Sequence, residues 1–137
     1  MSKKTSTQNT RPERPLSPHL QVYKPQMTSM LSILHRITGV GLTVVLAAFV
    51  WMVIAAATGP KAYAYFVEMA STKLGLVIMI AGSFGLFFHL CNGIRHLVWD
   101  TGHLFEINCA RNAGYLVLLV SIGLTAAMWC CILGVTL

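Results

Sequence analysis

Three stretches of the chain contain no Asp, Glu, Lys or Arg: residues 37–60, 74–94 and 112–137, of 24, 21 and 26 residues. An α-helix needs about 20 apolar residues to cross a bilayer, so each stretch is long enough to form a span. Turn and helix-ending residues refine these to spans at about 31–58, 73–99 and 113–135. The first is expected to begin near Ser32 and to stop at Thr58-Gly59-Pro60, where glycine and proline end a helix. A loop carrying Tyr63, Tyr65 and Phe66 at headgroup level is expected next. A polar connection through Asp100, Thr101, Gly102, His103, Glu106, Asn108 and Arg111 then returns the chain to span three. Residues 1–30 read differently: they are polar and hold four of the five prolines (Pro12, Pro15, Pro18 and Pro25), which favours an extended path along the membrane face. The expected fold is an all-α membrane protein, with a Pro-rich segment at 1–30 and a three-helix transmembrane anchor at 31–137.

Composition excludes the soluble alternatives. Charged residues make up 10% of the 137 and hydrophobic ones 55%, against about 25% charged in soluble domains. The net charge of +6 does not point to nucleic acid, because the basic residues lie mostly just outside the apolar stretches rather than in one solvated patch. Their distribution is topological. Lys3, Lys4, Arg11, Arg14, Lys24, Arg36, Arg95 and Arg111 flank one side of a three-span layout, and only Lys61 and Lys73 the other. The positive-inside rule then puts the N-terminus inside and the C-terminus outside. Apolar character starts only around Met27 and runs into a full span, so a cleaved secretory signal is not expected. Cys91, Cys130 and Cys131 fall within spans and Cys109 in the inner connection; their spacing predicts neither a zinc site nor a disulfide framework.

Candidate chemistry lies in two places. At the mouth of span one, Ser32, His35 and Arg36 stand at i, i+3 and i+4 and share a helix face. Two readings are open there: a ligand-binding face, or Ser32 capping the first turn while Arg36 snorkels to the headgroups. In span two, Gly75, Gly82, His89 and His96 repeat every seven residues, with Gly85 and Gly93 four residues either side of His89. A histidine in a glycine-floored groove fits either a helix packed against a hydrogen-bonded imidazole or a flat macrocycle whose metal faces it. His96, beside Arg95 at the interface, is expected to be a supporting residue or a spectator. His19 and His103 receive no role.

Arg14-Pro15-Leu16-Ser17-Pro18-His19-Leu20, Ser32-Ile33-Leu34-His35-Arg36-Ile37-Thr38-Gly39 and His89-x-x-x-Gly93-Ile94-Arg95-His96-Leu97-x-Trp99-Asp100-x-Gly102 together resemble both signature stretches of the cytochrome b membrane-anchor subunits of succinate dehydrogenase, respiratory complex II. The Ser-Pro-His-Leu segment is more similar to the alphaproteobacterial and mitochondrial branch. The resemblance implies that His89 is an axial ligand of the iron of haem b. It implies that His35 and Arg36 border the haem propionates, and that Ser32 and Arg36 border the ubiquinone pocket. It further implies a subunit that is not catalytic alone, a second membrane anchor that shares the haem, and two soluble partners, a flavoprotein holding FAD and an iron–sulfur subunit. The expected location is the bacterial inner membrane, with the mitochondrial inner membrane as the alternative. An anchor of a quinol:fumarate reductase and a haem-free structural anchor are the rival readings. With the helices upright, His35 at the helix mouth and His89 six residues inside Arg95 should differ in depth by about 9 Å. On that placement the second iron ligand comes from another chain.

Overall fold

Each apolar stretch forms one long helix, because a chain in hydrocarbon must satisfy its backbone groups internally. The structure is a computed structural model that describes residues 24–136. The expected extended path of residues 1–23, with the Arg14–Leu20 motif and His19, lies outside the described residues. Helix α1 (Met27–Thr58) is followed by α2 (Pro60–Ala70), α3 (Lys73–Asp100) and α4 (Ile107–Thr136). Of these, α1, α3 and α4 are long and apolar enough to cross a membrane. The 32 residues of α1 extend to about 48 Å at 1.5 Å per residue, more than the roughly 30 Å hydrocarbon layer.

Three boundaries differ from expectation, each for a local reason. Helix α1 starts at Met27, directly after extended Gln26, so residues 27–30 are helical rather than part of the N-terminal segment. Met27 is apolar and packs against the buried cluster, which favours the extra turn. The aromatic stretch after span one is a helix. Gly59, at φ 137°, lets the chain change direction in one residue. Pro60 then occupies the first turn of α2, where its missing N–H costs nothing. Trp51 of α1 packs edge-on against Phe66 and Tyr65 of α2, with ring centroids 5.1 and 6.5 Å away. The polar connection between α3 and α4 is shorter than expected because α4 begins at Ile107, which makes Asn108, Cys109 and Arg111 helical. Gly102 at φ 84° and Leu104 at φ 65° reverse the chain there.

Helix α3 is the centre of the layout, packing along both α1 and α4, while α1 and α4 meet less extensively. Thr72 starts it by accepting a hydrogen bond from the Gly75 amide at 3.0 Å. Leu31, Phe88 and Val117, one from each long helix, form the buried cluster, with Met27, Phe84, Cys91 and Leu118 packed against it. Toward the other end, Trp129 Nε1 of α4 donates to Ser83 Oγ of α3 at 3.0 Å. Most other large apolar side chains, among them Ile37, Val44, Leu74, Leu116 and Leu119, face outward. Water would not tolerate that surface, whereas lipid tails and neighbouring helices do.

Candidate functional site

The α1–α3 contact near the buried cluster is polar on one side. Two side chains of α3 reach two carbonyls of α1 that lie four residues apart. His89 Nδ1 is 3.2 Å from the His35 carbonyl, and Asn92 Nδ2 donates to the Leu31 carbonyl at 3.4 Å. The helices run antiparallel, so the pairs 35–89 and 31–92 follow each other up the contact.

A carbonyl can only accept, so Nδ1 of His89 carries the ring hydrogen. Thr38 Oγ1 gives its own proton to the His35 carbonyl at 3.0 Å and stands 3.3 Å from His89 Nδ1. Its oxygen is thus a second acceptor for the same N–H. Held this way, His89 keeps the Nε2 lone pair for a ligand, the arrangement found in metal-binding histidines.

The ring of His35 stacks on that of His89, with centroids 3.9 Å apart and planes 12° from parallel. The expected depth offset of about 9 Å is therefore wrong. His35 is not at the mouth of its helix, because α1 begins eight residues earlier, at Met27. This puts His35 two turns inside and level with His89. Nδ1 of His35 is buried and makes no hydrogen bond among the described residues. His96, expected to be a supporting residue or a spectator, lies 5.3 Å from the His35 ring and packs edge-on to Trp99 at 5.0 Å. Glycine opens the space for these rings. A Cβ at Gly39 would fall 3.1 Å from Cε1 of His89, tighter than normal packing, and one at Gly93 would fall 3.8 Å from Cε1 of His35.

Ser32, His35 and Arg36 share a face of α1 as the spacing predicts, with Ser32 and His35 half-buried and Arg36 exposed. Ser32 does not cap the helix. It sits in the second turn, where its hydroxyl donates to the Thr28 carbonyl at 3.1 Å.

The sequence reading missed a polar group next to this face. Asn92 and Arg95 are 0% and 3% exposed. Arg95 donates to Asn92 Oδ1 at 3.2 Å and to the Ala110 carbonyl of α4 at 3.3 Å. Its guanidinium lies 4.1 Å over the Trp99 ring. These contacts are all to neutral groups. The signal was present in the run Asn92-x-x-Arg95-x-x-x-Trp99, whose i, i+3 and i+7 spacing follows one helix face.

Three membrane-length helices with histidines and a buried arginine along their contacts define a polytopic membrane subunit, since ionisable groups within spans mark ligand or partner sites. Residues 10–128 match the succinate dehydrogenase/fumarate reductase transmembrane subunit family. The chain belongs to that family. It is 44% identical over 117 residues to the succinate dehydrogenase cytochrome b556 subunit of Rickettsia prowazekii (strain Madrid E), covering 85% of this chain and 91% of that one. It is 39% identical over 103 residues to the cytochrome b556 subunit of Paracoccus denitrificans, covering 75% and 79%. It is 38% identical over 121 residues to the cytochrome b560 subunit of Reclinomonas americana, covering 85% and 84%.

Proposed function

We propose that this chain is the membrane-anchor cytochrome b subunit of a succinate:ubiquinone oxidoreductase, sharing haem b with a second anchor and contributing to the ubiquinone site. It attaches flavoprotein and iron–sulfur subunits to an inner membrane and is not catalytic alone. The observation that carries this reading is the fixed ring of His89, whose Nδ1 is engaged by the His35 carbonyl and whose Nε2 is left to bind iron. The residues fit the group: His35 has a buried nitrogen with no hydrogen-bond partner among the described residues, and Gly39 and Gly93 leave space against the two rings. Haem b, when bound, would supply a one-electron acceptor. His89 would hold its iron, and His35 and Arg36 would face its propionates.

Ser32 and Arg36 would bind a quinone oxygen at the inner end of α1. Reduction of ubiquinone takes two electrons and two protons, the electrons from the iron–sulfur partner and the protons from the inner aqueous side. As negative charge develops on the quinone oxygen, the fixed charge of Arg36 stabilises it, and the Ser32 hydroxyl can exchange the Thr28 carbonyl for it. The basic residues gathered on one side of the spans support an inside N-terminus. The family description covers fumarate reductases too, but the relatives above are named as succinate dehydrogenase subunits, which favours the succinate-oxidising direction.

The test is a reduced-minus-oxidised spectrum of the isolated membrane complex, with succinate-dependent ubiquinone reduction measured on the same sample. A b-type spectrum and quinone reduction are expected. A complex with no b-type absorbance would make this chain a haem-free structural anchor.

A further inference from the structure

The Leu31 turn of α1 is fixed from two helices at once. Its side chain, 1% exposed, sits so close to α4 that a Cβ on Gly114 would lie 2.6 Å from Leu31 Cδ1. Its carbonyl accepts from Asn92 of α3. Asn92 is in turn oriented by Arg95, which takes the amide oxygen and so leaves the amide N–H group directed at Leu31. Arg95 reaches α4 through the Ala110 carbonyl. Leu31 directly precedes Ser32, and the carbonyl that Asn92 holds belongs to the turn that ends at His35.

A buried guanidinium is an expensive way to hold helices together if packing alone is needed. Removing a charge from water costs several kcal/mol, which attraction to neutral groups does not readily recover. Arginine offers instead a planar fork that fixes directions, here toward an amide oxygen and a carbonyl on two different helices.

We propose that Asn92 and Arg95 are positioning residues for the quinone-binding turn of α1, fixing the Leu31 carbonyl and thereby the placement of Ser32 and Arg36. This rests on the quinone reading of Ser32 and Arg36 given above. Asn92, fully buried, is set to act through the Leu31 carbonyl.

The test uses the assembled complex in membranes and two variants that move the Leu31 turn by unrelated means. Asn92→Asp keeps an oxygen for Arg95 but loses the donor to Leu31. Gly114→Ala leaves the polar group intact and presses on Leu31 from α4. Each should raise the KM for ubiquinone by about 5- to 10-fold, Asn92→Asp by losing one hydrogen bond and Gly114→Ala by overpacking that displaces the same turn. Succinate oxidation by an artificial acceptor, per assembled complex, should be unchanged. Arg95→Lys should give a similar rise in KM, because an ammonium keeps the charge without the fork.

A role in assembly alone would lower the amount of complex and leave KM normal in the fraction that assembles. That result in Asn92→Asp and Gly114→Ala overturns the proposal. Arg36→Leu is measured alongside. If it reduces ubiquinone normally, the quinone reading itself fails. If it is impaired while the other variants keep a normal KM, only the positioning role fails.

Discussion

The imidazole rings of His35 and His89 lie face to face at 3.9 Å, although 54 residues separate them in the chain. One is bonded through its Nδ1 to the backbone of the other, so the orientation of His89 depends on where α1 places His35. The ring of His89 is therefore held by two helices.

His89→Ala should remove the b-type spectrum from the assembled complex, while His96→Ala should leave it largely intact, since His96 contacts His35 and Trp99 by ring packing. Difference spectra and redox titration of both variants check this. An unaltered spectrum and midpoint potential in His89→Ala would show that the iron ligand lies elsewhere.

Thr38→Val keeps side-chain volume and deletes the hydroxyl near His89 Nδ1. Loss of such a supporting partner typically weakens metal binding by about 10- to 100-fold, so haem should pass faster to a scavenger protein. Gly39→Ala instead pushes on the ring, because the new Cβ would lie 3.1 Å from Cε1. Overpacking of this kind costs about 1–3 kcal/mol, to be read as a lower thermal midpoint of the isolated complex. Wild-type haem retention in Thr38→Val would remove the hydroxyl from the account.

Arg36→Leu should abolish most ubiquinone reduction while an artificial acceptor still takes electrons from succinate. Arg36→Lys should recover only part, lacking the planar fork. Ser32→Ala should be milder, raising the quinone KM roughly 2- to 12-fold for one neutral hydrogen bond worth about 0.5–1.5 kcal/mol. Steady-state kinetics on matched amounts of assembled complex separate these outcomes. Normal rate and affinity in Arg36→Leu would leave the arginine as a headgroup anchor.

The three spans were legible because charge is excluded from hydrocarbon, and that exclusion is written along the chain at 37–60, 74–94 and 112–137. The shared face of Ser32, His35 and Arg36 was legible for the same kind of reason, since helical spacing alone sets it. What was not legible depended on contacts between helices. Pro60 reads as a stop, yet it begins α2 once Gly59 has turned the chain. Arg95 reads as an interface residue within the span at 73–99, yet it is buried because α4 starts early enough to present the Ala110 carbonyl. The level of His35 against His89 required knowing that Thr28 and Ser29 are helical, which polar side chains near a proline-rich segment do not announce.

Topology gives a separate test. A reporter active only outside the membrane, fused after Leu137, should be active, and the same reporter placed near Glu106 should be silent. The opposite pattern would invert the layout and put the Ser32–Arg36 face on the outer side.

With few side chains buried inside the subunit and most large apolar ones facing outward, tolerance to mutation should be very uneven. Where outward-facing positions such as Val44, Leu74 and Leu119 meet lipid, they need only remain greasy, and can exchange Leu, Ile, Val and Phe with little penalty. Leu31, His35, Thr38, Gly39, His89, Asn92, Arg95 and Gly114 have no such latitude, because each meets a partner on another helix. A saturation scan would thus trace one narrow line of sensitive sites through an otherwise permissive chain.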